Sequence, residues 1–108
     1  MKRGDVIRIA ASGDLAGKPR PAVIVQADEF CDAHGTLTVV PLSSQLNHAV
    51  MFRVPLSAAI GNGRVIDREA QVDTVQAVRR DRTRDVIGAV DPWSMQRIDQ
   101  ALRDRLSL

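Results

Sequence analysis

Aromatic residues and cysteine are both scarce in this sequence of 108 residues. The chain has two phenylalanines, one tryptophan, no tyrosine and a single cysteine, Cys31. One cysteine excludes an intramolecular disulfide, and the two histidines form no zinc-type cluster with it. Disulfide scaffolds and zinc-binding modules are therefore excluded as classes.

Long apolar runs are also missing. Nothing approaches the roughly 20 apolar residues that a membrane-spanning helix needs. The opening residues MKRGD lead into a short mixed strand, whereas a signal peptide would show an apolar region of about 7–15 residues. These absences predict a cytoplasmic protein with no signal peptide.

The composition that remains is that of an ordinary soluble domain. Hydrophobic residues make up 44% of the chain and charged residues 26%, and the formal net charge is +2. A chain of this length forms one domain, 1–108, with one sizeable core. The weak positive charge tolerates a polyanionic partner without requiring one.

The hydrophobic pattern predicts many short strands and one terminal helix. Asp91 is a suitable N-cap, Pro92 suits the first helical position, and Met95, Ile98 and Leu102 continue as an apolar stripe to Leu106. One short helical turn fits within 27–35. The predicted strands are 6–10, 21–26, 36–42, 49–55, 64–66, 70–78 and 86–90. Short, closely spaced strands favour a small, strongly curved sheet or barrel.

One arginine has unusually restricted surroundings. Arg20 lies between Pro19 and Pro21, and each proline pushes the residue before it toward extended geometry. The planar donor fork of arginine matches phosphate oxygens. Arg20 is therefore a candidate phosphate ligand, although an ordinary surface arginine fits this segment equally well.

Several segments together resemble the MazF/PemK family of toxins. Residues 2–6 read KRGDV, residues 20–25 read RPAVIV, and residues 39–44 read VVPLSS. The end of the chain, IGAV at 87–90 followed by the amphipathic helix, is similar to the last strand and helix of that family. The resemblance implies a mainly β, SH3-like barrel of the MazF/PemK (CcdB-like) type with a C-terminal helix. It also implies a homodimer, held inactive by a cognate antitoxin with a disordered tail.

The resemblance further implies an endoribonuclease that cleaves single-stranded mRNA by 2′-hydroxyl transesterification, without a metal or other cofactor. The implied catalytic residues are Arg20 and Ser43, and Asp73 aligns with an acidic residue present in some members. The predicted RNA-binding residues are Lys18, Ser44, Phe52, Arg53, Gln71, Arg79 and Arg80.

The proton-transfer groups are less well defined than the phosphate ligands. Arginine is never deprotonated in practice, and a carboxylate such as Asp73 must have a raised pKa to act as a base near neutrality. A salt-bridge role for Asp73 and a loop-capping role for Ser43 stay open. His34 and His48 fall in predicted loops without a supporting motif.

Two other functions stay open at this point. Residues 74–79, TVQAVR, lack the arginine and aspartate usual in the family, which leaves room for a degenerate member that only binds antitoxin. A non-enzymatic gyrase poison of the CcdB type would end in Trp-Gly-Ile, whereas this chain ends in LSL. The nuclease is therefore favoured.

Overall fold

A computed structural model describes residues 1–10, 19–33, 35–46, 52–56 and 67–108. Two helices, α1 (Asp28–Cys31) and α2 (Pro92–Leu106), accompany the strands. Short 3-10 turns span Val72–Thr74 and Arg80–Arg82. The strands are β1 (Asp5–Ile9), β2 (Arg20–Ile24), β3 (Thr36–Ser43), β4 (Arg53–Leu56), β5 (Arg68–Gln71), β6 (Gln76–Arg79) and β7 (Thr83–Ala89). The predicted mainly β fold with a C-terminal helix is confirmed.

The described strands form one antiparallel sheet in the order β4-β5-β3-β2-β1-β7, and β6 also pairs with β3. Among the described strands the sheet is open, and β4 and β7 lie at the two ends of this order. β2 lies inside the sheet between β3 and β1, as its apolar character on both faces indicated. The predicted strand 64–66 and residues 49–51 of the predicted strand 49–55 lie outside the described residues.

The predicted continuous strand 70–78 is wrong. The structure divides this segment into β5 and β6, with the 3-10 turn at Val72–Thr74 between them. Val72 is fully buried, so the chain turns inward there to fill the core. As a result, β3 pairs with β6 along its first half and with β5 at its end. Because of this turn, β5 and β6 pair with β3 in different registers. An alternation of apolar and polar residues in the sequence cannot reveal such a change.

Each face of the sheet covers its own hydrophobic cluster. In β2, Val23 points into the cluster that packs under α2, while Ala22 and Ile24 point into a second cluster on the other face. Strand alternation requires this division, because successive side chains point to opposite faces. Cys31 of α1 is buried in the second cluster, and this burial, reinforced by nearby Asp28 and Asp32, raises the pKa of its thiol.

Helix α2 begins where its sequence predicts. Asp91 caps it by accepting hydrogen bonds from the Ser94 backbone N–H and the Ser94 hydroxyl, both at 2.8 Å. The Ser94 backbone N–H is also the main reason that the pKa of Asp91 is lowered. Met95 and Ile98 are buried on the sheet, whereas Leu106 at the end of the predicted stripe is 51% exposed. None of the described helices is long and apolar enough to cross a membrane.

The first residues of the chain fasten α2 to the sheet. Arg3 Nη2 lies 2.5 Å from Asp99 Oδ1 of α2, and Arg3 Nε donates to the Val25 carbonyl at 3.1 Å. Gly4 follows with a φ of 92°, in the left-handed region that favours glycine, and its N–H donates to the Ile24 carbonyl at 2.8 Å. The segment 2–6 is therefore a structural element that leads the chain into β1.

Candidate functional site

Arg20 begins β2 at the rim of an open pocket. Its side chain is exposed, and it makes no hydrogen bond or ion pair with the part of the chain that the structure describes. The β1–β2 ladder pairs Arg20 with Ile9, so the backbone carrying it is held on that side by a strand. The guanidinium is thus a positive charge at the start of a paired strand, and none of the described residues takes up its donors.

Ser43 lies in register with Arg20 on the same face of the sheet. β2 and β3 pair Ala22 with Pro41, and the same register continued by two residues sets Arg20 opposite Ser43. Residues directly opposite in a ladder point to the same face. By this extended register the two predicted catalytic residues share one face of the sheet, but Ser43 is not among the residues that line the pocket beside Arg20.

The pocket beside Arg20 has a volume of about 260 Å³. Its floor is formed by the buried side chains of Ala22, Val39 and Val78, which belong to the second cluster. Its lining residues are Ile9, Ala10, Arg20, Pro21, Ala22, Val39, Pro41, Gln76, Val78 and Arg82. The lining includes two arginines and, among the residues that the structure describes, no acidic side chain. The pocket is consequently suited to a ligand with an apolar body and a negative charge.

Two polar residues that line this pocket, Arg82 and Gln76, each contact a backbone carbonyl through their side chains. Arg82 Nη2 donates to the Ala10 carbonyl at 2.8 Å, and the Ala10 N–H donates to the Arg82 carbonyl at 2.9 Å. Gln76 pairs with Val39 in the β3–β6 ladder, and its Nε2 donates to the Thr74 carbonyl over a longer 3.3 Å. Sequence reasoning missed Gln76, because only the pairing of β6 with β3 brings it to this pocket.

The Ser43 hydroxyl already takes part in the turn that follows β3. Its Oγ accepts from the Gln45 backbone N–H at 3.1 Å, while the Gln45 carbonyl lies 3.5 Å away, at the limit for accepting the hydroxyl hydrogen. The hydroxyl therefore caps the loop with its acceptor side and keeps its hydrogen for another acceptor. Ser44 is exposed in the same turn.

Asp73 is held in an ion pair with Arg53. Arg53 Nε and Nη2 donate to the two carboxylate oxygens of Asp73 at 2.9 and 3.2 Å. This two-point pairing is the salt-bridge role that the sequence left open. Neither residue lines the pocket beside Arg20.

Phe52 and Arg53 lie toward α2. Phe52 has a φ of 65° and packs against the cluster under the helix, and the guanidinium of Arg105 lies 5.5 Å from its ring centroid. Both residues border a separate recess of about 310 Å³ with Arg97, Gln100, Ala101 and Asp104 of the helix and Val54 of β4. The structure therefore does not bring Phe52 or Arg53 to the pocket beside Arg20.

The other predicted RNA-binding residues are dispersed. Arg79 lies 2.5 Å from the carboxylate of Asp81, and Arg80 lies 3.8 Å from that of Asp32. Gln71 pairs with Arg53 at the end of β5 and is half-buried. Lys18, His34 and His48 lie outside the described residues. Of the basic residues at 79–84, Arg82 alone lines the pocket beside Arg20.

Glu69 is a second residue that sequence reasoning missed. It is fully buried and pairs with Ser43 on one side and with Pro55 on the other. Register thus sets a buried carboxylic acid beside Ser43, on the face that also carries Arg20. The predicted strand began at residue 70, one residue too late to include it.

A family model matches nearly the whole chain. Residues 2–106 match the model described as the PemK-like, MazF-like toxin of type II toxin–antitoxin systems. A probable endoribonuclease MazF of Mycolicibacterium smegmatis is 34% identical over 102 residues, covering 94% of this chain and 93% of that protein. Endoribonuclease MazF9 of Mycobacterium tuberculosis is 31% identical over 116 residues, covering 100% of this chain and 98% of that protein.

Solved structures share the fold at lower sequence identity. A MazE–MazF crystal structure from Deinococcus radiodurans superposes with a TM-score of 0.85 at 16% identity, covering 100% of this chain and 97% of that chain. A mycobacterial endoribonuclease in complex with its cognate antitoxin has a TM-score of 0.78 at 21% identity, covering 100% of this chain and 96% of that chain. The sheet with its terminal helix is thus the fold of these toxins.

Proposed function

Because the chain belongs to the family of PemK-like, MazF-like toxins of type II toxin–antitoxin systems, we propose that it is a sequence-selective endoribonuclease toxin. Its substrate is single-stranded mRNA, and it needs no metal ion. The observation that carries the proposal is the open pocket at which Arg20 stands without an ion pair in the described part of the chain. Arg20 thus places a permanent positive charge at the rim of a pocket whose described lining carries no acidic side chain.

The reaction is an internal transesterification at phosphorus. The 2′-oxygen attacks the adjacent phosphorus, the bond to the 5′-oxygen breaks, and the products carry a 2′,3′-cyclic phosphate and a 5′-hydroxyl. Negative charge accumulates on the two non-bridging oxygens as the bond forms. The guanidinium of Arg20 carries a permanent positive charge that stabilises the developing negative charge, and a single charge-stabilising donor contributes about 2.7–4 kcal/mol.

Ser43 supplies the second contact to the phosphate. Its oxygen accepts from the Gln45 N–H at 3.1 Å, and its hydrogen has only a long contact, 3.5 Å, with the Gln45 carbonyl that a phosphate oxygen would replace. Arg20 and Ser43 lie on neighbouring strands, so their two donors would bind oxygens of the phosphate from different directions. This arrangement positions the phosphorus for attack.

The proton transfers require groups other than Arg20, because a guanidinium keeps its protons. The 2′-hydroxyl must lose a proton to a base, and the leaving 5′-oxygen must gain one. The acceptor predicted from the sequence, Asp73, stays a prediction. Both of its oxygens accept from Arg53, so taking up a proton would weaken at least one of those bonds.

A matched pair of variants tests the proposal. Purified protein should cut a long mixed RNA in the presence of EDTA, and its products should carry the cyclic phosphate and the 5′-hydroxyl. Arg20→Ala should reduce the cleavage rate about 10²–10³-fold, the loss that follows removal of one charge-stabilising donor. Arg103→Ala makes the same charge change on the exposed side of α2 and should leave the rate unchanged. Full cleavage by Arg20→Ala would overturn the assignment, and inactive wild-type protein that still binds antitoxin would indicate a degenerate member.

The proposed partner that silences this site is a cognate antitoxin with a disordered, acidic tail. The support is the positive rim made by Arg20 and Arg82, which would attract an acidic segment as readily as an RNA backbone. An antitoxin tail peptide should then compete with RNA for the free protein, and competition should weaken in Arg20→Ala. We further propose a cytoplasmic homodimer, which analytical ultracentrifugation of the purified protein would detect as twice the chain mass.

A further inference from the structure

We propose that the pocket beside Arg20 is a specificity subsite for one adenine of the RNA, with Gln76 as the residue that reads the base. This inference rests on the proposed function, because it places in the pocket the base next to the phosphate that Arg20 binds. Gln76 and Arg82 act here as binding residues, outside the bond-making chemistry.

The size and surface of the pocket suit one base. Its volume of about 260 Å³ is just below the range of pockets for drug-sized ligands, so it suits a smaller flat group. The floor of Ala22, Val39 and Val78 offers an apolar surface for a ring face. Arg20 at the rim would hold the phosphate while the attached base turned inward.

Arg82 provides a stacking surface where aromatic rings are missing. Proteins that read single-stranded RNA stack bases on aromatic side chains or on the plane of an arginine guanidinium. Among the described residues, no aromatic side chain lines this pocket. The Arg82 guanidinium is tied to the Ala10 carbonyl at 2.8 Å, so it forms part of the wall before any base arrives. A group that is already held loses little entropy when the base stacks on it.

Gln76 has a donor and an acceptor that match one edge of adenine. Its carboxamide presents one N–H₂ and one C=O side by side, which pair with N7 and N6–H₂ of adenine. The Nε2 bond to the Thr74 carbonyl is long, at 3.3 Å, and the Oε1 atom has no partner within the described residues. The carboxamide can therefore turn toward a base without losing a strong contact.

The arginines of the pocket do not compete for this role. An arginine reads guanine through O6 and N7, but here Arg20 is assigned to the phosphate, and Arg82 is assigned to the face of the base, where its donors do not meet the base edge. Gln76 is exposed and lies opposite Val39 on the floor, so its side chain reaches the edge of a base lying there. The reading group of the pocket is accordingly a carboxamide, and adenine is the base that we assign to it.

To test the proposal, a long RNA of mixed sequence is partially digested with the purified protein, and all the new RNA ends are sequenced. Wild-type cut sites should share an adenine at one fixed position next to the broken bond. Gln76→Ala should reduce the preference for adenine at that position roughly 5- to 150-fold, which is the discrimination carried by one two-point contact between a side chain and a base. Gln76→Arg should shift the preference at the same position to guanine.

Gln100→Ala is the matched control, because Gln100 lies on α2 and contacts Asp104 at 2.9 Å, away from this pocket. It should cut at the wild-type sites. Melting temperatures of the variants check that they remain folded.

The outcomes separate the two proposals. Cleavage that depends on Arg20 but shows an unchanged adenine preference in Gln76→Ala would overturn the subsite alone, as would wild-type cut sites without a fixed adenine. Cleavage that does not depend on Arg20, or no cleavage at all, would overturn the proposed function and the subsite with it.

Discussion

Replacing Asp73 by asparagine separates a structural role from a catalytic role for this carboxylate. The asparagine side chain has nearly the same shape as that of aspartate, but it carries no charge and cannot act as a base at neutral pH. In the structure, the Asp73 carboxylate accepts from both Nε and Nη2 of Arg53. We therefore expect Asp73→Asn to lower the stability of the protein and to leave the cleavage rate within a fewfold of wild type.

The magnitude follows from the burial of the pair. The side chains of Arg53 and Asp73 are only 17% and 24% exposed, so the pair is better shielded from water than a surface salt bridge. Removing the charge of one partner leaves the other partly buried without its counterion, a loss of about 1–3 kcal/mol. For a domain of this size the melting temperature should fall by about 4–12 °C.

The assay is thermal unfolding followed by circular dichroism, together with single-turnover cleavage of one RNA. A double-mutant cycle with Arg53→Ala isolates the interaction energy, which should be at least about 0.5 kcal/mol for groups in direct contact. An unchanged melting temperature combined with a hundredfold loss of cleavage would refute the structural role. Asp73 would then be assigned as the proton acceptor, at a position where some family members carry an acidic residue.

Two further predictions concern the helix cap and the buried thiol. Asp91→Ala should lower the unfolding free energy by about 1 kcal/mol, whereas Asp91→Asn should keep the cap. Because the Ser94 backbone N–H lowers the pKa of Asp91 in the folded protein, its stabilisation is complete above the ordinary aspartate pKa of about 3.9 and is lost as the pH falls through the folded value. Denaturant titrations at pH 7 and pH 3 should therefore show a smaller difference between wild type and Asp91→Ala at the lower pH, and an equal difference would contradict the linkage. Cys31 is buried and the pKa of its thiol is raised, so a disulfide reagent should label it slowly in the native protein and at once in denaturant. Fast labelling of native protein would show that α1 does not cover the thiol.

The elements predicted most accurately are those specified by local chemistry. The helix at the end of the chain begins after Asp91 and Pro92, because a capping carboxylate and a proline act within one helical turn. The strand after Arg20 was predicted from its apolar run and is central in the sheet. The segment 70–78 could not be predicted correctly, because its division into two strands depends on burying Val72 in a core made by distant residues.

The candidate site shows the same division between local and distant information. Arg20 and Ser43 were predicted from short motifs, and the register of β2 and β3 brings them to one face. Gln76, Arg82 and Glu69 reach that face through pairings and contacts with residues far along the chain. A hydrogen bond such as that from Arg82 to Ala10 joins positions 72 residues apart, a relation that no sequence window contains.

The sequence by itself determined the family, the mainly β fold with its terminal helix, and the arginine that faces the pocket. The family was recognised from the resemblance of short motifs, whereas the strands and the terminal helix depend on proline geometry, helix capping and strand alternation, which act between neighbours in the chain. Only the tertiary structure decided that Asp73 pairs with Arg53 and that Gln76 and Arg82 complete the pocket. Such contacts form when strands pair in a particular register, and that register is set by the packing of the two hydrophobic clusters as a whole.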